Sequence, residues 1–236
     1  MINGKKVITI IPARGGSKGI PGKNKRIFID KPLISWSIEH ALKINIIDEI
    51  IVTTDDEELI DISKLYDVKI VKRPKYLSKD NSLVIDAVRH ALNKYYKNNY
   101  NNEILLMLEP TSPFRRKSDT ISCIEMVSSE NTIFNSASTF RDAMLHPCRA
   151  WKMNNSLSIQ TYINDSKPWL NRQDLPNAYQ PTGTYVFKAI PEMKNFVLSG
   201  TIGAVIVPSK YCIDLDEEYD WFIGEIIMKE LLKNGK

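Results

Sequence analysis

Near its start the chain reads Val7-Ile8-Thr9-Ile10-Ile11-Pro12-Ala13-Arg14-Gly15-Gly16-Ser17-Lys18-Gly19-Ile20-Pro21-Gly22-Lys23-Asn24, an apolar run followed by a loop rich in glycine and basic residues. The β-branched beginning of this stretch is typical of a buried strand. The glycines that follow let backbone N–H groups approach a ligand, and consecutive N–H groups can form a concavity that binds anions. With three cations alongside, the stretch predicts a binding site for a nucleotide triphosphate. A basic surface loop without a ligand is the alternative, but the position directly after a first strand favours the binding site.

Two widespread phosphate-binding loops do not match this stretch. Five residues separate Gly16 from Gly22, where a P-loop has four, and Lys23 is followed by Asn24 rather than by serine or threonine. The dinucleotide fingerprint G-x-G-x-x-G is also missing from the sequence. The loop therefore belongs to neither of these two classes.

Composition is that of an ordinary globular protein. The 236 residues are 43% hydrophobic and 25% charged, which suits one large α/β domain or a domain with a small appendage. The net charge of +4 does not by itself indicate nucleic acid, and an anionic small substrate fits equally well. Basic residues are spread along the chain without interleaved aromatics, so we expect no nucleic-acid partner.

Cysteine usage and the apolar segments indicate a cytoplasmic protein. The three cysteines, Cys123, Cys148 and Cys212, form no C-x-x-C pair, so neither a zinc site nor a disulfide framework is expected. The first residues lack the features of a secretion signal. No apolar run approaches the roughly 18 residues that a membrane span needs, so we expect no membrane partner.

Strand-like and helix-like segments alternate through the first half of the chain. The patterns predict strands over residues 7–11, 49–54, 68–71 and 104–108, and helices over 33–42, 83–96 and 117–127, with the acids of 55–58 opening a further helix. Such alternation predicts βαβ units, hence an α/β fold with a mostly parallel sheet and helices on both faces. The run at 104–108 is entirely apolar, so we expect it at the centre. The loops that follow these strands should face one crevice.

The pattern changes between about residues 140 and 182, which we call the inserted segment. Prolines, Trp151, Trp169 and short alternating runs replace the earlier rhythm. We expect a β-rich insertion that serves as a substrate lid or a subunit contact within a single domain of residues 1–236. Strands at 184–187 and 203–207 and an amphipathic helix over 217–232 complete the chain.

Asp214 and Asp216 are candidate metal ligands. In extended backbone, side chains two positions apart point the same way, so Asp214-Leu215-Asp216 can present two carboxylates together. Two carboxylates completed by water and phosphate oxygens are typical of Mg²⁺ sites. Helix capping is the alternative, because Asp216 with Glu217 and Glu218 could simply start the last helix.

Other polar groups have both a functional and a structural interpretation. Arg73 follows the third strand, and Asp80-Asn81-Ser82 precedes a helix, where the residues can contact a nucleotide or act as an N-cap. Arg172-Gln173 lies in the inserted segment, where the arginine can grip a carboxylate or remain an exposed cation. The three histidines form no grouping typical of hydrolytic triads or zinc catalysis.

Taken in order, the motifs resemble the signature of the cytidylyltransferases that activate sialic acids and related nonulosonic acids. The resemblance covers nearly the whole chain and is carried by Ile11 to Gly19 with Pro21, Lys23 and Asn24, by Val52-Thr53-Thr54-Asp55, by Arg73-Pro74, by Leu77 with Asp80, by Pro110-Thr111-Ser112-Pro113 with Arg115, by Arg172-Gln173 with Leu175-Pro176, and by Asp214-Leu215-Asp216. It implies a Rossmann-like nucleotidyltransferase fold, CTP and a nine-carbon keto-sugar acid as substrates, magnesium, and a homodimer whose inserted segment reaches the partner. The implied reaction moves CMP from CTP to the anomeric hydroxyl and releases pyrophosphate.

The resemblance also assigns residues to roles. Nucleotide binding falls to Ala13, Arg14, Gly15, Lys23, Asn24, Arg73, Asp80 and Ser82, sugar binding to Glu109, Arg172, Gln173 and Thr182, metal binding to Asp214 and Asp216, and catalysis to Arg14, Lys23, Asp214 and Asp216.

Two departures from the family pattern fall on the sugar side. Glu109 stands where glutamine is usual, and Pro181-Thr182-Gly183-Thr184 stands where Pro-Asn-Gly-Ala is usual. They leave the acceptor open among N-acetylneuraminic, legionaminic and pseudaminic acids and an eight-carbon relative. A sugar-1-phosphate nucleotidyltransferase and a non-catalytic nucleotide- or glycan-binding module are the competing functions.

Overall fold

The computed structural model describes residues 1–97, 99–100, 103–189 and 197–234. Its helices are α1 (Leu33–Leu42), α2 (Glu57–Ser63), α3 (Val84–Tyr96), α4 (Lys117–Ser128) and α5 (Glu218–Lys233). Its strands are β1 (Val7–Pro12), β2 (Ile27–Phe28), β3 (Lys31–Pro32), β4 (Glu49–Thr54), β5 (Lys69–Lys72), β6 (Ile104–Leu108), β7 (Ser136–Asp142), β8 (Trp151–Met153), β9 (Ile159–Thr161), β10 (Tyr179–Lys188) and β11 (Ile202–Ile206). The helices and strands predicted from the sequence are present, and most of their ends differ by about one residue, as expected for boundaries that fray. The exception is β10, which begins at Tyr179, five residues before the predicted start, because this part of the strand pairs with the end of β7.

In the described residues a seven-stranded sheet has the order β11-β7-β10-β6-β1-β4-β5. Only β10 runs antiparallel to its neighbours, β6 and β7, and the other adjacent pairs are parallel. The apolar strand β6 is the fourth of the seven and is buried throughout, which confirms its predicted central position. The mostly parallel α/β sheet expected from the alternating pattern is therefore confirmed.

The alternation of side chains along β1 explains why helices cover both faces of the sheet. Val7 and Ile11 pack into a cluster with residues of α1, α2 and α4, whereas Ile8 and Ile10 point to the other face and pack with residues of α3. A strand buried on both faces loses apolar area at every position, which at about 25 cal/mol per Å² is a large favourable contribution.

A third cluster packs the last helix onto the edge of the domain. Phe28 lies 5.3 Å from the ring of Trp221 and 5.9 Å from that of Phe114, in edge-to-face geometry. Leu215 joins this cluster and is fully buried. Because Leu215 is anchored in the core, the aspartates on either side of it are held in a defined position.

The inserted segment has little regular structure of its own. Its β structure consists of a hairpin of β8 with β9 and the paired ends of β7 and β10, where Tyr179 faces Asp142 and Gln180 faces Arg141. Large apolar side chains in this segment are exposed, among them Trp169 at 76% and Met153 at 65%. None of the helices in the described part of the chain has the length and apolar character needed to span a bilayer.

Candidate active site

A cleft of about 620 Å³ opens beyond the carboxyl ends of β1 and β6. Four separate stretches of chain form its walls: the glycine-rich loop, the segment between β5 and α3, the turn after β6, and the approach to α5. Most of the residues predicted for the site line this one cleft, namely Arg14, Lys23, Asn24, Arg73, Asp80, Ser82, Glu109, Asp214 and Asp216. The crevice expected from the parallel-strand topology is therefore present.

The glycine-rich loop is fastened to the sheet and to the approach to α5. Asn24 donates from Nδ2 to the carbonyl of Arg14 at 2.9 Å, which draws the two ends of the loop together. Gly19 passes so close to the last helix that a Cβ there would lie 2.1 Å from the carbonyl oxygen of Asp216. Glycine is therefore required at this position to let the loop and Asp216 meet.

Two residues predicted to contact the nucleotide support the loop and are not among the side chains that line the cleft. Ala13 is fully buried, and its N–H donates to the carbonyl of Thr53 at 3.0 Å. The N–H of Gly15 donates to Asp55 Oδ1 at 3.0 Å, so this amide already has a partner within the protein. Both residues hold the first turn of the loop against the end of β4.

Three cations of the cleft, Arg14, Lys18 and Lys23, are paired with acids of the same cleft. Lys23 Nζ lies 2.6 Å from Asp216 Oδ1, and the lysine side chain is only 9% exposed. Arg14 and Lys18 both contact Asp80, at 2.8 and 3.0 Å, and these two cations lower the pKa of its carboxyl. A polyanion that enters the cleft can take over these cations, since their present partners are single carboxylates at the surface.

Capping of α5 does not involve the side chain of Asp216. Glu217 is the N-cap residue, and it forms a reciprocal capping box with Asp220, which leaves the carboxylate of Asp216 to Lys23. The capping alternative considered for Asp216 is therefore wrong. Capping falls one position later because the helix begins at Glu218, after the buried Leu215 has turned the chain.

Asp214 shares this acidic wall of the cleft. The side chain of Asp214 lines the cleft, and the protein atoms that surround it partly exclude water from the carboxyl group. Burial and then the negative charge of Asp216 raise the pKa of Asp214, and the Thr111 hydroxyl and the charge of Lys23 act in the opposite direction. The carboxylates at 214 and 216 thus form a site of concentrated negative charge.

Glu109, at the end of β6, is the third acid at this wall. Burial first, and then the charge of Asp214, raise the pKa of Glu109 to about 7, and Arg115 opposes this shift. The hydroxyl oxygen of Tyr185 lies 3.4 Å from Glu109 Oε2, and this hydroxyl can donate a hydrogen bond to the carboxylate. A carboxyl group poised near neutrality can accept or donate a hydrogen bond in a substrate complex.

The chemistry of these donors fits magnesium. No cluster of three or more His, Cys, Asp or Glu side chains within the described ranges is arranged to hold a metal. Asp214 and Asp216 would therefore hold an ion together with oxygen ligands that are not side chains. This matches Mg²⁺, which commonly keeps several waters and binds through one or two carboxylates plus substrate phosphates.

Three residues predicted for the sugar side lie outside the cleft of this chain. The hydroxyl of Thr182 lies 2.7 Å from that of Thr139, and both residues line a small cavity of about 10 Å³. Arg172 and Gln173 occupy an exposed turn of the inserted segment. All three belong to the inserted segment, and no residue of this segment is among those that line the cleft.

Sequence reasoning gave no role to several residues of the site. Leu83 and Val84, at the start of α3, keep 47% and 37% of their surface exposed and line the cleft, where they offer an apolar wall. Tyr185 and Arg115 lie behind Glu109. Arg115 belongs to the motif that begins at Pro110. The residues next to it in the sequence do not indicate that two strands and a helix enclose it in the fold.

A cleft at the carboxyl ends of parallel strands, with cations on a glycine-rich loop and a carboxylate pair on its wall, is typical of enzymes that act on nucleotides. The profile of the family described as "Cytidylyltransferase" matches residues 8–229. This chain belongs to the cytidylyltransferase family and is an enzyme of the nucleotidyltransferase type, as the sequence motifs predicted.

Individual relatives agree with this assignment. The chain is 34% identical over 229 residues to the pseudaminic acid cytidylyltransferase of Campylobacter jejuni, covering 95% of this chain and 97% of that one. It is 29% identical over 230 residues to the CMP-N,N'-diacetyllegionaminic acid synthase of Legionella pneumophila, covering 95% and 97%. Among solved structures, a CMP:2-keto-3-deoxy-manno-octonic acid synthetase complexed with CTP superposes with a TM-score of 0.68 at 17% identity, over 96% of this chain and 99% of that one. At that identity the likeness supports the fold alone.

Proposed function

We propose that this protein transfers CMP from CTP to the anomeric hydroxyl of a nine-carbon 2-keto sugar acid, which yields the CMP-sugar and pyrophosphate. The observation that carries the proposal is the meeting of Lys23 and Asp216, 193 positions apart, on one wall of one cleft. A cationic loop and a carboxylate pair placed together suit a triphosphate that enters with its divalent cation. Relatives named for pseudaminic and legionaminic acids support the choice of acceptor class.

The chain's own residues would position the reactants and neutralise charge. The anomeric hydroxyl releases its proton to water and its oxygen attacks the α-phosphorus, the bond from that phosphorus to the β-phosphate oxygen breaks, and pyrophosphate leaves with the electron pair of that bond. Arg14 and Lys23 would bind the departing phosphates, while Asn24, Arg73, Asp80 and Ser82 line the walls around the nucleotide. Transfers at phosphorus depend mostly on such positioning and charge stabilisation.

Magnesium would be held by Asp214 and Asp216 in this scheme. When bound, it would polarise the α-phosphate and lower the pKa of the attacking hydroxyl. A phosphate oxygen would then replace the Asp216 carboxylate beside the ammonium group of Lys23.

On the sugar side, Glu109 lies at the cleft of its own chain, and Arg172 and Gln173 are proposed to reach the cleft of a partner subunit. Thr182 would contact the sugar only after its hydrogen bond to Thr139 is exchanged. This arrangement needs a homodimer in which the inserted segment packs on a second copy of the chain. The cytoplasmic location expected from the sequence stays a prediction.

The exposed apolar side chains of the inserted segment support the dimer. Trp151, Met153, Ile159 and Trp169 keep between 48% and 76% of their surface exposed, and such a patch favours a protein interface. We expect sedimentation of the wild type as a dimer and of Trp169→Asp as a monomer. The matched control Trp36→Phe, on α1, should remain dimeric, and a monomeric wild type at micromolar concentration would contradict the assembly.

A pyrophosphate-release assay tests the reaction itself. We expect release with CTP and a nonulosonic acid, and release at least about 100-fold slower with UTP, ATP or GTP, since the wrong base leaves buried polar groups unpaired. The acceptors to compare are N-acetylneuraminic, legionaminic and pseudaminic acids and an eight-carbon keto acid. Turnover with sugar 1-phosphates in place of the free acids would instead assign the protein as a sugar-1-phosphate nucleotidyltransferase.

A further inference from the structure

Arg115 is a desolvated cation beside the cleft to which the proposed reaction assigns no part. Its Nε donates to Thr184 Oγ1 at 2.9 Å, its Nη1 to Ser37 Oγ at 3.0 Å, and its Nη2 to the carbonyls of Gly183, at 2.6 Å, and of Glu109. All four acceptors are neutral. Burial lowers the pKa of Arg115 to about 10, because desolvation disfavours its charged form. A cation kept in such a place without a carboxylate directly bonded to it calls for a functional explanation.

The four hydrogen bonds join three separate elements around Glu109. Ser37 belongs to α1, Glu109 follows β6, and Gly183 and Thr184 belong to β10. Gly183 has a left-handed φ of +72°, and a Cβ there would lie 2.4 Å from Ser112 Oγ and 3.2 Å from Glu109 Oε2. The guanidinium therefore clamps an irregular turn of β10 tightly against the side chain of Glu109.

The charge of Arg115 also acts on Glu109. It lowers the pKa of the Glu109 carboxyl, whereas burial and then the charge of Asp214 raise it. Arg115 lies on the protein side of this wall, because its polar atoms are all directed to α1, β6 and β10. Its role is therefore exerted through other residues rather than by contact with a substrate.

We propose that Arg115 is a positioning residue for CMP transfer: its hydrogen bonds hold the Glu109 backbone against the Gly183 turn and so fix the position of the Glu109 side chain that packs on this turn. The inference rests on the proposed function. It predicts that loss of Arg115 impairs turnover more than nucleotide binding, because the hydrogen bonds of Arg115 go to Ser37, Glu109, Gly183 and Thr184 and not to Arg14 or Lys23, the cations that would bind the triphosphate.

Three variants separate this role from a structural one. Arg115→Met removes the charge and the hydrogen bonds at similar length, Arg115→Lys keeps the charge, and Arg116→Met is the control, since Arg116 pairs with Asp119 at 2.7 and 2.8 Å. We expect kcat of Arg115→Met to fall by about 10- to 100-fold, because a displacement of about 1 Å costs that much. The KM for CTP and the Kd of CTP measured in EDTA should stay within about 3-fold of the wild-type values. Arg115→Lys should recover part of kcat, and Arg116→Met should match the wild type.

If Arg115→Met does not fold, Thr184→Val removes one of the four bonds and should lower kcat in the same way, by a smaller factor. A folded Arg115→Met with wild-type kcat, or one whose CTP affinity falls in parallel with kcat, overturns the proposal. A crystal structure of Arg115→Met is the readout that needs no activity: a shifted Glu109 side chain supports the role, and an unshifted one refutes it. Absence of turnover in the wild type would therefore count against the proposed reaction and leave the test of Arg115 intact.

Discussion

Lys23 Nζ lies 2.6 Å from Asp216 Oδ1, and this ion pair joins the glycine-rich loop to the approach to α5. The lysine is nearly buried, at 9% side-chain exposure, whereas the aspartate is 65% exposed. The cation proposed to bind the triphosphate and the anion proposed to bind its metal thus neutralise each other in the protein alone. Binding of the ligand would replace this pair by Lys23 with phosphate and Asp216 with the metal.

Replacement of Lys23 tests the cationic side of this pair. We expect Lys23→Met to lower kcat/KM by about 100-fold or more, since a charge-assisted donor to the departing phosphates is lost. The control is Lys25→Met, because Lys25 pairs with Asp56 and Glu58 at 3.1 and 2.7 Å and is not among the residues that line the cleft. Steady-state kinetics measured on both variants provide the comparison. Equal kcat/KM values for Lys23→Met and Lys25→Met would show that Lys23 has no role in the reaction.

Replacement of the aspartates tests the metal side. Asp214→Asn and Asp216→Asn should remain folded and lose turnover by orders of magnitude, because an amide is a much weaker ligand for a hard cation. Turnover of the wild type should stop in EDTA and return with added Mg²⁺. Asp61→Asn, which alters an exposed acid paired with Lys64 and outside the cleft lining, should behave as the wild type in the same Mg²⁺ titration. Metal-independent pyrophosphate release by the wild type would refute the assignment.

Glu109 predicts a pH dependence of stability with a definite sign. Its pKa in the folded protein is raised from 4.5 to about 7, so the folded state binds the proton more tightly than the unfolded state. The free energy of unfolding therefore falls as pH rises from about 4.5 to about 7, and the loss is complete above that range.

Glu109→Gln removes this cost. We expect the variant to be more stable than the wild type by about 1–3 kcal/mol at pH 8 and nearly equal at pH 4.5, at about 1.4 kcal/mol per pKa unit with allowance for solvent. Thermal unfolding at the two pH values measures the difference, with the exposed Glu130→Gln as the control. A stability gain that is the same at both pH values would show that Glu109 is not the group responsible.

The contact between Gly19 and Asp216 predicts a contrast between two glycines of one loop. A Cβ at Gly19 would lie 2.1 Å from the Asp216 carbonyl, whereas a Cβ at Gly16 would have no neighbour within 4 Å. We expect Gly19→Ala to lower the free energy of unfolding by about 1–3 kcal/mol, as overpacking commonly does, and Gly16→Ala to leave it nearly unchanged. Differential scanning calorimetry on the ligand-free proteins compares them, and equal melting temperatures would disprove the close approach.

Local patterns were sufficient to predict the sheet and most of the cleft. The alternation of buried strands and amphipathic helices depends on residues close in sequence, so the ends of β1 and β6 could be placed at one crevice in advance. Gly15 and Thr182 show the limit of this reasoning. The Gly15 amide is taken by Asp55 and the Thr182 hydroxyl by Thr139, and neither partner can be inferred from spacing along the chain.

The capping alternative for Asp216 also shows that the local sequence does not determine the partner of a side chain. Acids before an amphipathic run indicate a helix start, but they do not specify which acid caps the helix. The burial of Leu215 decided it, because this anchor placed the start of the helix at Glu218 and left Asp216 facing Lys23.

The amino-acid sequence by itself determined the α/β class, the family and the segments that meet at the cleft, since hydrophobic periodicity and short motifs act over a few residues. Tertiary structure alone decided which charges pair, which amides and hydroxyls are already engaged, and that Arg115 is enclosed behind Glu109. These features depend on burial and on distances between residues far apart in sequence, and both exist only once the chain is packed.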